Sequence, residues 1–320
     1  MPVESGALGM SPALAGIARV LAIDGVTAEV VAALRRAGID PILLRGPSVA
    51  GWLYPDGGRL YRDTDLLVPE RAFGPAREVL AGLGFADWHA GYSALERPRH
   101  AAVYWRRPPG GWPFFVDLHK GLSPVAGRRA GTWELLRAGA EPLAVGGLAV
   151  LAPGVPARAL LVAVHAAAHG VGCFQTMEDL RRVLAVTSEQ EWLRAGALAT
   201  RLGLDGALAA GLRLLPEGAG VAGRLGLPRR ASPALRLASL PAHPPGIDAL
   251  LSVAAAPSLP GKAAAIVRRA FPSAALLRHR HPAAPPGTRG LVLARLRHLG
   301  RCARFLVPAL ATWLRLCRGR

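Results

Sequence analysis

The chain is poor in cysteine, poor in aromatic residues and, towards its carboxyl end, almost devoid of acids. Its three cysteines, Cys173, Cys302 and Cys317, form no Cys-x-x-Cys pair, so neither a zinc site nor a disulfide framework organises it. Aromatic residues make up 6% of the sequence, and no stacking surface of the RNA-recognition type is visible. Apolar runs are interrupted by Gly, Pro or Arg well short of the roughly 20 residues that a membrane-crossing helix requires. Met1-Pro2-Val3-Glu4-Ser5 has no basic stretch leading into an apolar core, so no secretory leader is expected and a cytoplasmic location is the default.

The shortage of acids is local. Residues 221–320 hold 17 Lys and Arg against one acid, Asp248, whereas the first 220 residues hold 22 against 20; together these give the net charge of +18. Nearly all the cations are arginine, which suits phosphate, although a composition rich in Arg, Ala and Gly throughout accounts for the same count. From Arg297 to Arg318, Leu, Phe, Val and Trp alternate with Arg at near-helical spacing. Residues 288–320 are therefore expected to form a basic helix. It can lie on an anionic membrane surface, grip an RNA backbone, or present a basic outer face to water.

With 320 residues, 51% of them hydrophobic and 19% charged, the chain can build two modest domains with real cores. Residues 1–24 read as an irregular leader or a short helix, followed by a helix over Thr27 to Ala37 with Val30, Val31 and Leu34 on one side. Strands are expected at Pro41 to Leu44 and Asp63 to Val68. Helices are expected after Gly46-Pro47-Ser48 and over Ala72 to Leu83. An antiparallel pair, His100 to Trp105 with Phe114 to His119, and an edge strand or hairpin at Leu143 to Leu151 complete residues 25–153. After Pro153-Gly154-Val155-Pro156 only helical spacing remains, through residues 154–220. Further helices are expected at Ile247 to Ala255, Gly261 to Ala270 and Gly290 to Arg318. The expected class is α+β: a small mixed sheet followed by a helical domain and a basic tail at 221–320.

The chemistry-bearing residues sit in the first half. Asp63 and Asp65 are one residue apart and run into Leu66-Leu67-Val68; on a strand they share a face. A third carboxylate, Asp117, closes the apolar run Phe114-Phe115-Val116. Three carboxylates converging at strand ends repel one another unless divalent cations lie between them, the arrangement that two-metal phosphoryl transfer needs. Gly46-Pro47-Ser48 turns from strand into helix, where backbone N–H groups and the helix dipole can seat a phosphate.

In this order, Leu43-Leu44-Arg45-Gly46, Tyr54, Arg59, Asp63-Thr64-Asp65-Leu66-Leu67-Val68, Leu83-Gly84-Phe85 and Val116-Asp117-Leu118-His119 resemble a bacterial family of uncharacterised nucleotidyltransferases. That family lies within the DNA polymerase β-like superfamily. The resemblance covers about residues 25 to 190. It implies transfer of a nucleoside monophosphate from an NTP, ATP being the expected donor, to an acceptor that is a small molecule, a peptide, a protein or an RNA end, plausibly as a biosynthetic tailoring step. It implies two Mg²⁺ ions held by Asp63, Asp65 and Asp117. Arg45, Gly46, Ser48, Arg62 and His119 are then the nucleotide-binding candidates.

The chain departs from the family pattern at Pro47, which removes one N–H donor from the turn, and at Arg45, which stands in place of Lys. His165, His169 and Asp179 match the family's helical His-x-x-x-His and later Asp; helix packing or lining of an acceptor cleft is expected there rather than zinc. The rival readings are a phosphotransferase using the same metals and a catalytically silent protein that binds RNA or an anionic membrane through its tail.

Overall fold

Two short apolar segments fix the centre of the sheet. β1 (Ile42–Leu43) and β2 (Thr64–Leu67) are buried at every position and pair antiparallel, Ile42 with Leu67 and Leu43 with Leu66. A strand buried on both faces needs neighbours on both edges. β2 has its second one in β5 (Phe114–His119), which runs parallel to it. β5 in turn pairs antiparallel with β4 (Ala101–Arg106), and β4 with the short β3 (Ala86–Asp87). On the other side, β1 takes β7 (Leu148–Pro153) in parallel, and β6 (Ala140–Val145) closes the edge. The result is a seven-stranded mixed sheet in the order β3-β4-β5-β2-β1-β7-β6, and the α+β class expected from the sequence is the observed one.

This computed structural model describes residues 11–92, 100–109, 111–122, 131–230 and 258–318, with isolated positions between 231 and 257. The helix expected over Ile247 to Ala255 falls largely outside them. The described residues form two compact units, one built on residues 11–88, 101–121 and 131–154, the other on residues 89–92, 100, 122 and those from Val155 onward.

The first unit departs from expectation at its start. The helix expected from Thr27 begins at Pro12 and runs unbroken to Arg36 as α1 (Pro12–Arg36), so residues 12–24 are not an irregular leader. Ser11 caps it, its hydroxyl accepting from the Leu14 N–H at 3.3 Å, and Pro12 occupies the first helical position, where its missing donor costs nothing. Gly16 lets the Leu60 side chain pack close against the helix. A Cβ on Gly16 would meet Leu60 at 3.0 Å.

The β6–β7 hairpin turns at Gly146-Gly147, both at positive φ, as a two-residue turn with strand-matched twist requires. Gly146 is doubly constrained, since a Cβ there would lie 2.5 Å from the Asp24 carbonyl oxygen of α1. α1 and α3 (Phe73–Gly82) cover the sheet through Val30, Val31, Leu34, Ala76 and Leu80, which pack with Leu43, Leu66, Val116 and Leu118 in one core. Each such fully buried aliphatic side chain contributes about 1.5–3 kcal/mol. α2 (Pro47–Leu53) and α4 (Thr132–Arg137) complete the unit.

The second unit is helical. α5 (Val155–His169) is the hub, packing against α6 (Phe174–Val186), α7 (Glu189–Leu202) and α8 (Asp205–Leu212). α5 and α8 meet so closely that any Cβ on Gly211 would collide with the Ala163 backbone. α7 opens with a reciprocal capping box between Ser188 and Glu191 and stops at Gly203 in the left-handed conformation. α9 (Pro216–Arg224) packs on α8. Among the described residues come also α10 (Leu259–Ala270), α11 (Ala274–Arg280) and α12 (Gly287–Cys317).

Candidate active site

Parallel pairing of β2 with β5 puts Asp65 directly beside Asp117, and Leu67 beside His119. Side chains alternate along a strand, so Asp117 and His119 share a face while Val116 and Leu118 turn into the core. The His119 Nε2 lies 3.0 Å from Asp65 Oδ1. Ligand atoms of Asp65, Asp117 and His119 all lie within 4.8 Å of one another, the one such group of three among the described residues. Asp63 immediately precedes β2 and is half-buried; it acts on this group through its charge. The group of three donors is thus Asp65, Asp117 and His119, with Asp63 adjoining it.

Arg45 follows β1, whose ladder is extended by the Leu44 N–H donating to the Asp65 carbonyl at 2.9 Å. From there its guanidinium grips Asp65 with two hydrogen bonds, Nη2 to Oδ1 at 2.6 Å and Nε to Oδ2 at 3.1 Å. This two-point geometry is one that lysine cannot reproduce.

The charges are unevenly balanced. Burial pushes the Asp65 carboxyl up, but Arg45 and His119 outweigh it and hold it well below the usual carboxylate range. On Asp117 the balance goes the other way: burial, and then the neighbouring Asp65 charge, outweigh the pull of His119 and Arg45 and push it up to about 6. Asp63 is also raised, by burial and by Asp65, against the pull of Arg45 and Arg59. Arg45, Arg59 and His119 thus act on three carboxylates, two of which remain raised. Such a donor set could hold a metal ion, with ligand atoms from Asp65, Asp117 and His119 and the Asp63 charge adjoining them.

Beside the cluster, Gly46 caps α2 with φ 67° and ψ −114°, a backbone open to glycine and strained for other residues. Its carbonyl accepts from the Val49 and Ala50 N–H groups at 3.2 and 2.9 Å and from Arg59 Nη1 at 3.5 Å. Ser48 was expected to offer its hydroxyl to a phosphate. In the structure it is buried and donates to the Leu44 carbonyl at 3.1 Å. Arg62 is exposed.

Sequence reasoning passed over the support that α1 gives this site. Thr27 bridges to Thr64, the residue between the two acids, with 2.7 Å between hydroxyl oxygens, and also contacts the Ile23 carbonyl at 2.8 Å. The Tyr61 hydroxyl donates to Asp24 at 2.6 Å. Arg19 lies within the electrostatic reach of Arg62 and Asp63. The available signal was Ser11-Pro12, a cap followed by a proline at a helix start.

In the second unit, His165 and His169 on α5 have ring centroids 4.2 Å apart. Asp179 on α6 is buried and accepts from Gln175 Nε2 at 3.1 Å.

Among solved structures, the antibiotic-resistance factor ANT(2'')-Ia aligns with a TM-score of 0.40 at 12% identity, over 59% of this chain and 95% of its own. An antigenic nucleotidyltransferase-like protein from Paracoccidioides brasiliensis aligns with a TM-score of 0.36 at 18% identity, over 59% of this chain and 92% of its own. No curated protein matches. Residues 14–219, from early in α1 into α9, match a family described as uncharacterised nucleotidyltransferase. That span is well over half of the 320 residues and carries the whole sheet with its paired carboxylates, and the chain belongs to this nucleotidyltransferase family.

Proposed function

We propose that the chain transfers a nucleoside monophosphate from an NTP, with ATP the expected donor, to a hydroxyl or similar nucleophile on an acceptor. The observation that carries this reading is the register that sets Asp65 against Asp117, with His119 in the same cluster. Mg²⁺ held by Asp65, Asp117 and Asp63, with His119 beside them, would neutralise the triphosphate and polarise the phosphorus under attack.

The remaining work falls to the chain's own groups. Asp117, beside Asp65 on the adjacent strand, is the carboxylate placed to take the acceptor's proton. As that proton leaves, the acceptor oxygen bonds to the α-phosphorus, the bond from that phosphorus to the bridging oxygen breaks, and pyrophosphate departs. Backbone N–H groups at the Gly46 turn and the exposed Arg62 are the groups to meet the departing phosphates. Arg45 sets the ionisation and rotamer of Asp65 through its two hydrogen bonds.

Full-length protein incubated with Mg²⁺, ATP labelled at the α or the γ position, and pools of small-molecule, peptide and RNA acceptors tests the reading. The expected result is α-label in an acceptor product and γ-label in pyrophosphate, both lost with EDTA or in Asp117→Asn. Label from the γ position on the acceptor would establish a phosphotransferase instead. Tight ATP binding with no transfer to any pool would point to a silent, binding-only protein.

A further inference from the structure

Helix α12 carries three lengthwise strips. The first, Ala294, His298 and Ala309, is buried. His298 Nε2 lies 2.7 Å from the Arg269 carbonyl of α10, and Arg295 Nη2 donates to the Pro272 carbonyl at 3.3 Å, so this side is tied to its own unit. The second strip is aliphatic and faces water: Val292, Leu296, Leu306, Val307, Leu310 and Leu314 are 39–71% exposed. At 100° per residue these positions fall within about a quarter to a third of the helix circumference, and at 1.5 Å per residue they extend about 33 Å. The third strip is basic. Arg289 and Arg318 border the aliphatic strip, and Arg297, Arg301, Arg304 and Arg315 form an exposed row further round.

The neighbouring α10 repeats the combination, with Leu259, Ile266 and Val267 exposed beside Lys262. Residues 249–320 contain 13 Lys and Arg and no acid.

An aliphatic strip this long costs free energy in water, and the missing acids make the surrounding field of one sign. An RNA backbone would answer the arginines but leave the aliphatic side chains without a partner. An anionic bilayer surface answers both, because its acyl boundary accepts the aliphatic strip while its headgroups meet the guanidinium groups. No helix among the described residues is long and apolar enough to cross a membrane, which leaves a helix lying in the interface plane. We propose that α12, assisted by α10, docks this protein on an anionic lipid surface.

The test is co-sedimentation of the full chain with vesicles of phosphatidylcholine alone or with about one-third phosphatidylserine. The expected result is binding only to the anionic vesicles, weakened more than about tenfold when salt rises from about 0.1 M to 0.5 M. Because the substituted side chains are exposed, Leu296→Asn with Val307→Asn should leave the thermal melt unchanged yet weaken vesicle binding at least about tenfold. Arg297→Gln, Arg301→Gln and Arg304→Gln together should weaken it on the order of a hundredfold. Equal binding to neutral vesicles, or no loss in the Leu296/Val307 variant, overturns the proposal. So does salt-sensitive binding to RNA without vesicle binding. So does a concentration-dependent dimer, seen by sedimentation velocity, that the Leu296/Val307 variant abolishes, since the strip would then face a second copy.

Discussion

Asp65 and Asp117 stand side by side on adjacent parallel strands, and the Arg45 guanidinium grips Asp65 with two hydrogen bonds while it reaches Asp117 through its charge. The two carboxylates therefore answer differently to the same substitution. Asp65→Asn takes from the largely enclosed Arg45 the carboxylate it grips with two hydrogen bonds and leaves it only the charges of Asp63 and Asp117 to lean on. The cost should be about 2–4 kcal/mol, a buried-pair figure reduced by those charges and because the Arg45 side chain is 27% exposed. Asp117→Asn removes one member of a repelling cluster and should leave the metal-free protein as stable or slightly more so. Urea denaturation of both variants checks this. Equal destabilisation would mean that Arg45 is not what sets Asp65 apart.

The second prediction concerns pH. The Asp117 carboxyl sits at about 6 in the folded protein, above the roughly 3.9 of an unfolded chain. Between these values the folded state binds more protons than the unfolded state, so its contribution to stability falls as pH rises from about 4 to 6. Asp65 has the opposite sign: depressed in the fold, it contributes stability above about 3.9 that is lost as pH falls towards its folded value. Metal-free wild type compared with Asp117→Asn by thermal melting should show the 4–6 slope weakened in the variant. Mg²⁺ added at pH 7 should stabilise the wild type more than the variant.

The support from α1 is testable without touching an acid. Thr27→Val keeps the shape but removes the hydroxyl that bridges Thr64 and the Ile23 carbonyl, which should cost about 1–2 kcal/mol. Thr64 separates the two aspartates, so turnover should fall more than ATP binding does. Chemical denaturation together with separate kcat and KM measurements distinguishes this from a purely structural role, in which both kinetic parameters would stay as in wild type.

Gly46→Ala places a Cβ on a backbone at φ 67°. No neighbouring atom comes closer to that Cβ than Tyr61 at 3.5 Å, so backbone strain rather than a clash sets the cost, about 1 kcal/mol. If the turn seats the triphosphate, ATP affinity should drop together with stability. A titration showing unchanged affinity would dissociate the turn from the nucleotide.

The sheet was legible because its strands are short apolar runs bounded by glycine or proline, and because a period of two forces Asp117 and His119 onto one face. Which strand would lie next to β2, and in what register, depends on packing between segments about fifty residues apart, and no local pattern encodes that. The start of α1 was obscured by Gly16, Asp24 and Gly25, which break the apolar spacing. Gly16 is packed by the Leu60 side chain, and Asp24 is met by the Tyr61 hydroxyl and the Gly146 turn, all distant in sequence. Ser48 and Arg45 were visible as polar residues at a strand-to-helix turn. Their partners, the Leu44 carbonyl and the Asp65 carboxylate, belong to the folded site.

The pairing of β2 with β5 also limits how the gene can change. A point substitution at Asp117 removes one carboxylate and leaves the scaffold intact. A single-codon deletion inside β5 would invert the alternation of every residue beyond it, sending Asp117 or His119 towards the core and Leu118 towards the acids. Length variation among descendants of this sequence should therefore concentrate between strands, for example in residues 107–113, while the spacing from Asp117 to His119 and from Asp63 to Asp65 stays fixed even in lineages that have lost the activity but kept the fold.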